Sequence, residues 1–297
     1  MNLTESARQW VLAKLPYDRR DAALVAYLNG LDAHGLLVVW HNWTSRLVQP
    51  QPWTVHKSQA FQQNPVTTQR AGELSLLIDD IEQGRDLTKY LSRDIARAPA
   101  KVPGAKRRPD LDMMLNDWGV HHLHISSTVE ADGFVKRDGP LLFVSFTPDA
   151  AYLIDIMTHG DWTRDHVLAV LADEWPNAGV IHKIPNLTSN IRVTEEQRSN
   201  LRKNRYVAAF EHNGSVYMPA GGMMADGTTI VAWAETRHLL GRIEALEKAL
   251  VNNPRCLTSD FERSGLVFPN KPEFQFAIRE DGAGIIERNT GAWIKLS

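Results

Sequence analysis

The segment GVHHLHISS, residues 119–127, puts three histidines in four positions. Near neutral pH an imidazole gives or takes a proton, binds a metal, or as a cation holds a phosphate. Read as a β-strand, the segment turns alternate side chains to opposite faces. His122 and His124 then share one face, and His121, Leu123 and Ile125 share the other. Two histidines at i and i+2 can reach one phosphate or one metal ion. A metal would need a third ligand, for which Asp112, Asp155, His159 and Asp161 are the candidates. The same spacing also suits an outer strand whose polar face meets water.

Further groups surround this segment. Asp155 interrupts the apolar run AYLIDIMTH (151–159), and a carboxylate buried in such a strand requires a partner. With regular alternation, Leu153, Asp155, Met157 and His159 would face one side. His159-Gly160-Asp161 marks the strand end, and His166 lies one turn into the next helix. Lys136 and Arg137, in the polar loop EADGFVKRDG (130–139), supply cations. His122, His124, His159, Asp155, Lys136 and Arg137 are the candidate catalytic residues.

The elements that must position them follow from periodicity and punctuation. Residues 110–119 read as a short helix; 120–126, 140–147 and 151–159 as strands, with a tight turn at Pro148-Asp149; and 161–176 as a helix stopped by Pro176. Before this unit, apolar spacing predicts helices over 4–33, 73–84 and 86–98. GLLVVWHNW (35–43) fits a strand or a helix, and the proline-rich 49–69 reads as an extended connection. After it come a helix at 194–205 with a Thr194–Gln197 capping box, a hairpin over 206–219 turning at Asn213-Gly214, a long helix at 230–251 and a three-stranded meander. The expected fold class is α+β: a helical N-terminal region followed by two small antiparallel-sheet α+β units. The expected domains are 1–100, 105–185 and 190–297, with the first boundary in PAKVPGAKRRP (99–109).

Composition narrows the class. With 297 residues, 43% hydrophobic and 23% charged, the chain has enough apolar material for two or three cores. A net charge of -2 provides no global field for nucleic acid, so such binding would need a local basic patch. One cysteine, Cys256, excludes an internal disulfide or a thiolate metal cage. The charged, amphipathic N-terminus is unlike a signal peptide, and no apolar run reaches membrane-spanning length. A cytoplasmic protein without membrane association is expected.

The order of elements across residues 110–176, ending in His159-Gly160, resembles the bacterial RelE/ParE toxin fold, with GPLLFVSFTPDAAYLIDIMTHG as the centre of the sheet. The resemblance implies an endoribonuclease of toxin–antitoxin or phage-defence type, acting on RNA without a cofactor and partnered by an antitoxin or other protein. Residue by residue, only His159 matches the family's histidine past the last strand. Asp161 and Trp162 stand where the family carries arginine or lysine, and the family's chains are much shorter. His122, His124, Lys136 and Arg137 are additions from this sequence itself. In such an enzyme one side chain takes the ribose 2′-hydroxyl proton, a cation stabilises the phosphate, and an acid protonates the leaving oxygen.

Two other readings stand beside it. One is a non-catalytic interaction protein using the N-terminal helices and the 230–251 helix. The other is a metal-dependent hydrolase on the H-x-H strand. The ribonuclease requires His122, His124 and His159 to converge. The metal enzyme requires an acidic group within reach of both His122 and His124. Weaker phosphate-binding candidates are KRRPD (106–110), RSNLRKNR (198–205) and PAGGMMADGTT (219–229). Trp10, Trp40, Trp43 and Trp53 are candidate base-stacking groups.

Overall fold

The computed structural model describes residues 2–104, 111–137, 139–161, 164–189 and 193–296. In chain order the helices are α1 (Leu3–Lys14), α2 (Ala22–Gly30), α3 (Ala33–Thr44), α4 (Gln59–Gln63), α5 (Pro65–Gln69), α6 (Ala71–Glu82), α7 (Met113–Trp118), α8 (Asp165–Glu174), α9 (Glu195–Lys203), α10 (Ile230–Asn252) and α11 (Thr258–Arg263). The strands are β1 (Thr54–Lys57), β2 (Val120–His124), β3 (Leu141–Phe146), β4 (Ala150–Met157), β5 (Ile181–Lys183), β6 (Phe210–His212), β7 (Ser215–Pro219), β8 (Phe274–Arg279), β9 (Gly282–Glu287) and β10 (Trp293–Lys295). The fold class is α+β, with helices leading. No helix among the described residues is long and apolar enough to cross a membrane.

The chain forms two compact units, each discontinuous in sequence. One comprises residues 1–42, 99–108 and 231–297; the other comprises 43–98 and 109–230. This division differs from three consecutive segments, because residues 43–98 pack with the central strands.

In the first unit, Asn2 caps α1 by accepting from the Glu5 amide at 2.7 Å. The antiparallel sheet β10-β9-β8 is the expected meander. Ser6 Oγ of α1 accepts from the Phe276 amide of β8 at 2.9 Å. Trp10 packs edge-on against Trp40 and Phe276, with centroids 4.9 and 5.9 Å away. Both tryptophans are thus engaged in packing.

The second unit is built on a four-stranded sheet of order β1-β4-β3-β2. β2, β3 and β4 pair antiparallel, as alternation and the Pro148-Asp149 turn require. β1 joins parallel to β4, Thr54 opposite Ala150 through Lys57 opposite Leu153. The segment 49–69 is therefore a strand and two short helices, not an extended connection. Residues 35–43 belong to a helix, and 86–98 form two 3-10 turns, Thr88–Tyr90 and Arg93–Ala96, in place of one α-helix. One sheet face buries Leu123, Leu142, Val144 and Leu153 against Leu74, Leu77 and Ile81 of α6. The other buries Val120, Leu141, Phe143 and Met157 against Val167, Leu168 and Leu171 of α8. Trp53 lies in the first of these cores, and Trp43 donates its indole N–H to the Ile95 carbonyl at 2.8 Å. A second small sheet, β5-β7-β6, carries the expected 206–219 hairpin.

Candidate active site

β2 supplies two of the histidines. His122 lies opposite Phe143 and His124 opposite Leu141, so both occupy the face that packs on α8. His121 points the other way and meets Phe146 edge-on at 5.5 Å. The His122 and His124 rings are 6.2 Å apart, and His124 lies 5.5 Å from His159, which stands just past β4. Three histidines from the two ends of the chain segment thus meet. His124 is 3% exposed and forms the floor of the cluster; His159 is its exposed member.

The charged groups that act most strongly on His124 are all basic. Burial first, then the neighbouring basic groups Arg137, His122, His159 and Arg93, hold the His124 imidazolium back, to a pKa of about 3. Arg137 itself is pulled below the ordinary guanidinium range by burial and by Arg93, against the attraction of Asp94. Arg93 pairs with Glu130 and, at 2.7 Å, with Asp132. Lys136 is exposed, its amide donating to the Thr128 carbonyl at 2.8 Å.

Asp112 sits 3.9 Å from His122, in left-handed backbone (φ 54°) at the start of α7. Burial pushes its carboxyl up, but the charges of Arg46 and His122 outweigh that and hold it low. The Arg46 side chain, 0% exposed, donates to it directly. Burial likewise depresses His121 to about 4, against the pull of Asp112. Among the described residues, no group of three His, Cys, Asp or Glu side chains is arranged to hold a metal ion.

Asp155 is not a member of this cluster. A β-bulge interrupts the β3–β4 ladder, so Phe143 faces Asp155 while Val144 faces Leu153. Leu153 therefore packs on the α6 side, and Asp155 takes the register position of the α8 side, correcting the regular alternation expected from sequence. Asp155 Oδ1 accepts from Asn64 Nδ2 and from the Ile156 amide, each at 2.7 Å. Its Oδ2 lies 2.8 Å from His166 Nε2. Burial raises the Asp155 carboxyl, and the bonds from His166, Asn64 and Ile156 outweigh it and leave it low. His166 is shifted up, chiefly by its bond to Asp155.

α9 resolves another sequence expectation. Arg198 and Arg202 of RSNLRKNR face inward, Arg198 donating to Asp165 at 3.0 Å and Arg202 to Asp117 at 2.8 Å. The Glu195 carboxylate accepts from the Asp165 amide at 3.3 Å. These arginines bind protein carboxylates, so they are not phosphate contacts. The 219–229 loop likewise packs as structure. A Cβ on Gly221 would lie 2.6 Å from the Asp117 carbonyl carbon, and the Gly222 amide donates to Asn116 O at 2.7 Å. KRRPD, 106–110, lies outside the described residues.

Arg46, Asn64 and Arg93 escape sequence reasoning because they are remote from the histidines in the chain. Asn64-Pro65 signals a turn, but nothing local ties Asn64 to Asp155. Chemically, the arrangement offers a neutral buried imidazole, an exposed imidazole beside it, the guanidinium of the exposed Arg137, and a separate histidine–carboxylate pair. Comparison of the chain with protein-family models, with curated proteins and with solved structures finds no match.

Proposed function

We propose that the four-stranded sheet carries a metal-independent endoribonuclease site. The observation that supports it is the meeting of His122, His124 and His159 under the positive charge of Arg137 and Arg93. A phosphodiester brings a negative charge that the basic groups around His124 would attract. In this reading Arg137 holds the scissile phosphate, and His159, the exposed imidazole, takes the proton of the ribose 2′-hydroxyl. His124, neutral beneath it, leaves His159 without a second imidazolium at contact distance. His122, 3.9 Å from the Asp112 carboxylate that Arg46 engages, flanks His124. Lys136 adds charge at the rim.

The reading extends the resemblance of residues 110–176 to RelE/ParE toxins: a cytoplasmic toxin or phage-defence effector, acting on RNA and restrained by an antitoxin-like protein. The interaction-module reading finds no comparable support in this cluster. The metal-hydrolase reading would rest on Asp112, whose carboxylate Arg46 already engages.

The test is cleavage of a labelled RNA pool in excess EDTA by the wild-type protein, His159→Ala and the double variant His122→Ala/His124→Ala, each checked for folding by its thermal transition. Cleavage that persists in EDTA, leaves 2′,3′-cyclic phosphate ends and falls at least about 100-fold in folded His159→Ala is expected. Absence of cleavage by wild type, or undiminished cleavage by His159→Ala, rejects the site.

A further inference from the structure

We infer that His166 is the proton donor to the leaving oxygen of this reaction, with Asp155 and Asn64 as its positioning residues. The inference rests on the ribonuclease reading. It starts from a pair that reading leaves unused: a buried carboxylate with an imidazole bound to one oxygen at 2.8 Å.

Three features separate this pair from an ordinary surface contact. The carboxylate is fixed before His166 reaches it, because Oδ1 is occupied by Asn64 and the Ile156 amide. Only Oδ2 is offered, and it selects Nε2, leaving Nδ1 for another partner. The Asp155 side chain is 12% exposed and that of His166 is 44% exposed, so the orienting group is inside and the imidazole meets solvent. The helix turn carrying His166 is also held: Asp165, its neighbour, receives Arg198 and gives its amide to Glu195.

The sheet supplies the spatial relation to the cluster. His122, Phe143 and Asp155 form one register row on the α8 side, and His124, Leu141 and Met157 form the next. His122 and Asp155 are thus two strand spacings apart, about 10 Å between backbones. His159, two residues beyond Met157, contacts His124 across that width. The two exposed imidazoles, His159 and His166, therefore belong to one face and to the two ends of one β4–α8 connection.

Charge environment divides the labour. Of the groups facing His166, Asp155 favours the imidazolium and Arg164 opposes it, and the balance is upward. Around His124 every charged neighbour opposes the imidazolium. Environments that push histidines in opposite directions assign one to the acid role and the other to the neutral side of the site. The step is balanced. The 2′-oxygen forms a bond to phosphorus as its proton passes to His159, and the bond from phosphorus to O5′ breaks as Nδ1–H of His166 gives its proton to O5′. The products are a 2′,3′-cyclic phosphate and a 5′-hydroxyl, and proton exchange with solvent restores both histidines.

The test uses the full chain and a short oligoribonucleotide carrying the link that wild type cuts in the RNA pool, made with oxygen or with sulfur at the bridging 5′ position. A sulfur leaving group needs no proton. His166→Ala is expected to cut the oxygen substrate at least about 100-fold more slowly than wild type and the sulfur substrate at nearly the wild-type rate. His159→Ala is expected to be slow on both. Asp155→Asn, which keeps a polar partner for His166 but removes the charge, is expected to move the alkaline limb of the pH–rate profile to lower pH. Equal rates of wild type and His166→Ala on the oxygen substrate, or equal slowing of His166→Ala on both substrates, overturns the role while leaving the ribonuclease standing. A wild type that cuts neither substrate overturns both.

Discussion

Two groups of arginines in the second unit make opposite use of the same side chain. On α9, Arg198 and Arg202 are each buried against one carboxylate, Asp165 and Asp117. Beside β2, the basic groups that act on His124 are Arg137, His122, His159 and Arg93, of which Arg93 is paired with Glu130 and Asp132. The first group is electrically closed. It fastens α7, which leads into β2, and α8, which carries His166. In the second, Arg137, whose strongest charged neighbour is the cation Arg93, is the group that the proposed site offers to an anion from outside. Taken alone, RSNLRKNR looks the better phosphate site, being denser in charge. Pairing, not density, separates a structural cation from one that can receive a ligand.

The largest effect is expected from breaking the closed group. Arg202→Met leaves Asp117 buried without its charge partner, at a cost of about 3–5 kcal/mol. Urea unfolding should show it, and Arg202→Met/Asp117→Leu should recover a large part. If Arg202→Met unfolds like wild type, the α9 pairs are not fasteners.

Acid should act next, and on the buried histidines of β2. His121 and His124 titrate near pH 6.5 when unfolded but stay neutral in the sheet down to about 4 and about 3. Below pH 6.5 the unfolded chain therefore binds more protons than the folded one. This stabilisation is complete above pH 6.5 and is lost as pH falls toward the folded values, at up to about 1.4 kcal/mol per pH unit for each histidine. Between pH 6.5 and 5, His124→Leu should flatten the slope measured by denaturant titration. An unchanged slope would mean that His124 titrates normally.

A smaller loss is expected where the 219–229 loop meets α7. Gly221→Ala places a methyl 2.6 Å from the Asp117 backbone, and overpacking of this kind costs about 1–3 kcal/mol. A variant with unaltered thermal transition would show that the loop is not seated there.

Arg137→Met should change stability least, within about 0.5 kcal/mol, since it removes a cation whose strongest charged neighbour is another cation. Its effect should appear in RNA binding: weaker affinity, and a dependence on salt shallower by about one phosphate contact. Loss of stability with unchanged binding would reverse the contrast between the two groups.

Much of this molecule is legible locally. The capping box at Thr194–Gln197, the hairpin turning at Asn213-Gly214, and the pairing of β3 with β4 are contacts between near neighbours in the chain, and the structure contains each. The placement of His122 and His124 on one face needs only the two-residue period of a strand. The 86–98 segment misleads, because its helical spacing serves two separate 3-10 turns that bury Tyr90 and Ile95. The bulge at Asp155 is equally silent, since AYLIDIMTH carries no glycine or proline to mark it.

Sequence alone therefore determined the α+β class, most local turns and caps, and the shared face of two histidines, because each depends on backbone period and short-range hydrogen bonds. Tertiary structure decided the rest. It brought β1 from residues 54–57 to the edge of the sheet, set Arg46 against Asp112 and Asn64 against Asp155, and turned the α9 arginines inward. Those choices depend on which distant group neutralises or satisfies a buried one. No local pattern encodes them, because that cost is felt only once the chain has closed and water has left.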